Sequence, residues 1–264
     1  QYFLGDFDGK TFTMHPAFAE KVAADTTSGN PFWIDYGRDN YAGVTWSDVP
    51  KEDGRRIFIG WMSNWNYANV VPTGRWRSAM TLPRTLSLRN TAAGPLLCAQ
   101  PVQETQAIAP HKTAIPPQTV TEQLNLSGLL ERPSPTLQLR LELSWAAGAQ
   151  PERIELSFSN GQGEVYRIWL EGDTFYADRS RAGKTDFETS FGRTATAPRW
   201  LKGNSLDLEV WLDVASVELF ADGGATNMTE IFFPGSPFDR TTLMVEGGSL
   251  KLEEGHIAPV ASIW

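Results

Sequence analysis

The run Thr136-Leu137-Gln138-Leu139-Arg140-Leu141-Glu142-Leu143-Ser144-Trp145 constrains this chain more than any other stretch of it. Leucine returns at every second position. A strand places Leu137, Leu139, Leu141 and Leu143 on one face and the polar residues on the other, whereas a helix would scatter the same leucines around its circumference. The spacing predicts a half-buried strand of an antiparallel sheet. Ile154, Leu156 and Phe158 repeat the pattern, as do Leu206, Leu208, Val210 and Leu212, then Val217 and Leu219. Turn residues separate these runs at Asn160-Gly161 and Asp222-Gly223-Gly224. Short alternating strands joined in this way predict an antiparallel β-sandwich over 118–264.

The preceding residues have a different texture. Strands are expected at 2–7, 41–47, 55–63 and 77–89, with aromatic residues on both faces and longer loops rich in Gly, Pro, Asn and Asp. They do not continue the same sandwich. Between the two parts, 101–117 carries Pro110, Pro116 and Pro117 and no strand pattern, which predicts a linker with one helical turn near Val102–Ala107. The expected organisation is 1–100, a linker over 101–117, and 118–264. One other helix is expected at Ala17–Ala24, bounded by Pro16 and by the Thr-Thr-Ser-Gly-Asn-Pro stretch of 26–31.

Composition removes several functions. With 23 Lys+Arg against 31 Asp+Glu the net charge is −8, which argues against nucleic acid as a partner. No run approaches the roughly 18 uninterrupted apolar residues of a membrane span, so no membrane partner is expected. A single cysteine, Cys98, forbids an intrachain disulfide and reads as a small buried hydrophobe. His15, His111 and His256 stand far apart, and there is no Gly-x-Ser-x-Gly, phosphate-cradling glycine loop or His-Glu-x-x-His.

The tryptophans point elsewhere. Of the ten, Trp33, Trp46, Trp61, Trp65 and Trp76 crowd into the first part. Sugar rings stack apolar C–H faces on indole while their hydroxyls bond neighbouring amides and carboxylates. Gly60-Trp61-Met62-Ser63-Asn64-Trp65-Asn66-Tyr67 is polar where a core strand would stay apolar, and it reads either as core packing or as the wall of a sugar site. Asp6, Asp8, Asp35, Asp39 and Asp48 are the carboxylates from which a glycosidase pair would have to come. Most such residues cap turns, and the spacing defines no pair. Within Arg38-Asp39-Asn40, Asp39 either orients a substrate hydroxyl or forms a loop ion pair with Arg38.

Three stretches together resemble glycoside hydrolase family 32 of the levanase, exo-inulinase and invertase type. They are Trp33-Ile34-Asp35-Tyr36-Gly37-Arg38-Asp39-Asn40-Tyr41-Ala42, the run from Arg56 through Gly60-Trp61-Met62-Ser63-Asn64-Trp65 to Ala68, and Pro72-Thr73-Gly74-Arg75-Trp76-Arg77-Ser78-Ala79-Met80. Near the other end, Asp213-Val214-Ala215-Ser216-Val217-Glu218-Leu219-Phe220 and Ile231-Phe232-Phe233-Pro234 resemble the family's terminal sandwich. The resemblance implies an all-β chain, a five-bladed β-propeller followed by a β-sandwich. It also implies hydrolysis of terminal β-D-fructofuranosyl units of sucrose, levan or inulin with retention, without metal or cofactor. On that reading 1–100 is the last part of the propeller, because blades of about 40–50 residues cannot close a ring in that length. The family's catalytic motifs, Asn-Asp-Pro-Asn-Gly, Arg-Asp-Pro and Glu-Cys, do not occur here, so no catalytic residue is assigned to this chain. Gln1-Tyr2-Phe3-Leu4-Gly5 resembles the stretch downstream of the family's acid/base Glu.

By the same resemblance Trp61 packs on the bound fructosyl ring, with Asp39, Tyr41 and Asn64 as polar lining. The expected partners are fructan or sucrose, and either a missing N-terminal half or a second copy covering an open sheet edge. An extracellular or periplasmic location follows from the polymeric substrate. Two other readings stay open: a truncated module that binds fructan weakly without catalysis, and part of a fructosyltransferase.

Overall fold

A computed structural model describes residues 1–24, 32–92 and 94–263, and antiparallel strands dominate it. The alternating leucines form the strand Leu137–Ser144, where all four are at most 1% exposed. It lies inside a seven-stranded sheet between Ser205–Asp213 and Leu250–Pro259, with Leu139 opposite both Val210 and Ile257. A six-stranded sheet centres on Arg153–Ser159, in which Leu156 faces Ile168 on one side and Leu243 on the other. Leu139, Val210, Ile257, Leu156, Ile168 and Leu243 all belong to one core, so the inner faces of the two sheets meet there.

Several strands of these sheets escape the alternation test, each for a local reason. In Leu250–Pro259 a bulge opposite Glu142 and Leu143 shifts the register, so the inward phase passes from Leu250 and Leu252 to Gly255 and Ile257. Thr226–Ile231 is buried at all six residues although four of them are polar, because a second part of the molecule covers its outer side.

That part is built on a five-stranded sheet running Tyr41–Thr45, Arg56–Met62, Arg84–Thr91 and Gly94–Pro101, with Ala79–Met80 beside the second strand. The single strand expected at 77–89 is therefore two, interrupted around Pro83, which has no N–H for a ladder. Cys98 is 2% exposed in the last strand. The expected 2–7 strand is the hairpin arm Gly5–Phe7 paired with Phe12–Met14. The helix forms over Pro16–Ala24 with proline in its first turn. Its expected terminator, 26–31, lies outside the described residues.

The 101–117 segment is held to the rest of the molecule at several points. It holds a 3-10 helix at Gln103–Ile108 and the short strand Thr113–Ala114, which joins the seven-stranded sheet; Ala109 and Ile115 are buried. Mixed clusters tie the parts together. Phe18, Phe32, Leu96 and Cys98 pack with Ala225, and Met62, Tyr67 and Val71 pack with Phe191 and Ile231.

Candidate functional site

Thr226–Ile231 is the edge strand of the seven-stranded sheet, and an edge presents unpaired amide and carbonyl groups. The chain from Ile34 to Asp39 satisfies them. The amides of Tyr36 and Asp39 donate to the carbonyls of Asn227 (2.8 Å) and Thr229 (3.1 Å). In the opposite direction carboxylates replace strand carbonyls: the Thr229 amide donates to Asp35 Oδ1 at 2.8 Å and the Ile231 amide to Asp39 Oδ2 at 3.0 Å. Gly37 permits this approach, since a Cβ there would lie 2.1 Å from the Thr229 carbonyl oxygen.

Each carboxylate is matched by a buried arginine. Arg84 reaches Asp35 at 2.7 Å and Glu218 at 2.6 Å, with no exposed guanidinium surface. Burial pushes the Asp35 carboxyl up, but Arg84 and Thr229 outweigh it and hold the group below its ordinary range. Glu218 shares the same guanidinium, and there burial prevails and raises it. Arg179 reaches Asp39 Oδ2 at 2.6 Å, and the Tyr67 hydroxyl donates to Asp39 Oδ1 at 2.6 Å. Removing one member of such a buried pair costs about 3–5 kcal/mol.

Asp39, expected as polar lining, stands at 0% exposure in a wholly buried ion pair. Its partner is Arg179 from the six-stranded sheet, while neighbouring Arg38 turns toward Ser190 Oγ at 3.4 Å. Asn64 is likewise committed to the backbone. Its Nδ2 donates to the Arg38 carbonyl at 2.9 Å and its Oδ1 accepts from the Asn66 amide at 3.0 Å, which shapes the turn after Trp61.

Trp61 and Tyr41 stand at the surface. They pair across strands, and Met80 pairs with Trp61 from the other side, so the three form one row. A register shift after Tyr41 and a positive φ of 49° at Ala42 mark a bulge at the end of that row. The Tyr41 and Trp61 rings meet edge-on at 6.2 Å, and the Trp65 ring lies 4.9 Å from that of Trp61. Tyr41 is 55% exposed and Trp65 62%, with Trp61 half-buried between them. Two indoles and a phenol open to water can stack a sugar ring.

The exposed carboxylates do not form a pair on this row. Asp8 caps its own hairpin through the amides of Lys10 (2.8 Å) and Thr11 (2.7 Å), which hold it below its ordinary range. Asp48 lines a separate cleft of about 420 Å³ with Trp46, Pro50, Asp53, Pro83 and Glu104. There Arg55 holds both Asp53 and Glu104 as ion-pair partners, lowering both. Among the described residues no three His, Cys, Asp or Glu side chains converge as metal ligands.

Sequence reasoning missed Arg179 and Glu230, and one signal would have found them. Phe175 and Ala177 set an inward phase that arrives at Arg179, and Thr226 and Met228 set one that arrives at Glu230. A charged residue at a core-facing position marks a partner hidden elsewhere in the chain.

Comparison with known proteins agrees along the whole chain. The model of the glycosyl hydrolases family 32 N-terminal domain matches residues 1–101, and that of the family 32 C-terminal region matches 104–259. The chain is 30% identical to a levanase of Bacillus subtilis (strain 168), covering 100% of this chain and 38% of the levanase. It is also 30% identical to an extracellular exo-inulinase of Aspergillus awamori, covering 100% and 48%. The crystal structure of the exo-inulinase from Aspergillus awamori superposes with a TM-score of 0.81 at 27% identity, over 100% of this chain and 50% of that one. A fructosyltransferase structure from A. japonicus shares the fold at a TM-score of 0.71 and 17% identity, over 87% of this chain and 45% of that one. The chain spans less than half the length of these curated relatives.

Proposed function

The chain belongs to glycoside hydrolase family 32, and from that membership we propose that it is the C-terminal portion of an exported β-fructosidase. It acts on terminal β-D-fructofuranosyl units of sucrose, levan or inulin. Its five-stranded sheet is a late blade of the five-bladed propeller, and its two larger sheets are the terminal sandwich. The observation that carries the reading is the open aromatic cluster of Tyr41, Trp61 and Trp65, at the position where the family resemblance puts the fructosyl ring.

In this reading Trp61 stacks on the apolar face of the fructosyl ring with Tyr41 and Trp65 beside it. Asp39 and Asn64 serve the site indirectly, by holding the backbone from which these rings project. The acid/base and nucleophile of a retaining double displacement come from a segment outside this chain, consistent with the missing motifs. That segment covers the Tyr41–Thr45 edge, which is exposed at all five residues.

The test is titration of the chain with a fructo-oligosaccharide, followed by tryptophan fluorescence. Binding that falls at least about tenfold in Trp61→Ala, or a loss of about 1.4 kcal/mol, supports the assignment; equal binding by the variant removes it. Fructose release from sucrose or levan by the chain alone, above a heat-killed control, would move the catalytic carboxylates back into this chain.

A further inference from the structure

We propose that Arg179, a side chain of the six-stranded sheet, positions the Trp65 indole beside Trp61 by way of Asp39 and Tyr67. The second part of the molecule thereby shapes the aromatic face of the first. That this face binds sugar rests on the functional reading above; the positioning itself does not.

The guanidinium has little freedom. Nε donates to the Phe191 carbonyl at 2.6 Å, and Nη1 donates to the Ile231 carbonyl at 3.0 Å and to Asp39 Oδ2 at 2.6 Å. Nη2 donates to the Tyr67 hydroxyl at 2.9 Å, so four of the five N–H groups are fixed. The Phe191 ring lies 3.9 Å from the guanidinium carbon. Tyr67 Oη therefore sits between two held groups, accepting from Arg179 and donating to Asp39. Burial and the Asp39 charge push its phenol far upward, so it keeps the proton it donates.

The Tyr67 and Ala68 amides both donate to the Asn64 carbonyl, at 3.1 and 2.8 Å. Trp65 falls between those anchors. Its ring contact is with Trp61, and 62% of it is open to water, so its place is set by the turn beneath it. Arg179 touches neither indole and is a positioning residue. A lysine keeps the charge but cannot reach Asp39, Tyr67 and two carbonyls together.

The test uses the full chain labelled with 5-fluorotryptophan, with the Trp61 and Trp65 signals assigned by Trp61→Phe and Trp65→Phe. Tyr67→Phe deletes one oxygen and keeps the buried ring, so it tests the relay even where Arg179→Lys fails to fold. The expected result is that Tyr67→Phe shifts or broadens the Trp61 and Trp65 fluorine signals and leaves the other tryptophans in place. Arg199→Lys, which disturbs another buried pair, with Asp222 at 2.9 Å, leaves both signals unmoved. Unchanged Trp61 and Trp65 signals in Tyr67→Phe, or equal shifts in every tryptophan, would overturn the proposal and leave Arg179 a structural tie. In a fructo-oligosaccharide titration Tyr67→Phe raises the apparent Kd about tenfold, equivalent to the loss of about one hydrogen bond. Wild-type signals that ignore the sugar would sink the functional reading alone, because the relay is judged on the ligand-free spectra.

Discussion

Two edge strands of this molecule meet opposite fates. Thr226–Ile231 is buried at all six residues, with its outer amides and carbonyls answered by Ile34–Asp39, whereas Tyr41–Thr45 is exposed at all five. The tryptophans follow the same division. Trp145 and Trp211 in the larger part are 6% and 5% exposed, while Trp33, Trp46, Trp65 and Trp76 in the smaller part are all at least 44% exposed. Polar residues on a buried edge are therefore structural, and aromatic residues on an open one are available for binding. The same residue types carry opposite meanings in the two places.

Cutting the covered edge loose should have the largest effect. Asp39→Ala strands the Arg179 guanidinium in a dry site and is expected to cost about 3–5 kcal/mol in urea unfolding. Trp65→Ala, on the open side, is expected to stay within about 1 kcal/mol. Equal losses in the two variants would erase the distinction between the edges. A smaller effect is expected from backbone approach alone. Gly37→Ala pushes a methyl into Thr229 and should cost about 1–3 kcal/mol, while Gly74→Ala, with nothing within 4 Å of its Cβ, should be silent in the same urea unfolding.

The most gradual effect, spread over several pH units, comes from Glu230. Burial between the sheets pushes its carboxyl up to about 8, and the nearby Asp39 charge adds to the shift while Arg179 opposes it. The Tyr166 hydroxyl lies 3.4 Å from Oε2, and Oε1 has no hydrogen-bond partner. The folded state then holds a proton that the unfolded chain releases above its ordinary value of 4.5. Stability from this group is complete below that value and is lost as pH rises toward 8, by at most about 1.4 kcal/mol per unit. Glu230→Gln should flatten the decline in Tm between those values; an unchanged slope would show that Glu230 is ionised throughout.

Much of the larger part was legible in the sequence because its inward positions alternate and its turns carry Gly, Asn and Asp. Two of the strands it concealed have a physical cause, a bulge that rephases Leu250–Pro259 at Glu253 and a second part that buries Thr226–Ile231 at Thr229, whereas Val165–Glu171 and Arg240–Glu246 alternate as plainly as the strands that were read. For the site, the residues themselves allowed a sugar-facing Trp61 only as one of two readings, and family likeness made it the expectation. The ion pair of Asp39 is hidden from the sequence for a physical reason. Sequence shows the adjacent Arg38, but the arginine that claims the carboxylate lies 140 positions away. Likewise the partner of Asp35 on Thr229 lies 194 positions away. No local pattern encodes a contact of that span.

Those spans also set an order of events. The hydrogen bonds between Ile34–Asp39 and Thr226–Ile231 include ones that join residues 192–194 positions apart in a chain of 264, and contacts of such range form late and slowly. On the ribosome the capping segment emerges first and waits, with Asp35 and Asp39 solvated, until the strand it covers has been synthesised. From its synthesis until the two segments meet, the Thr226–Ile231 edge is open to other partners, as Tyr41–Thr45 remains afterwards. The interval before the seam closes is when a growing chain is most exposed to mispairing with its neighbours.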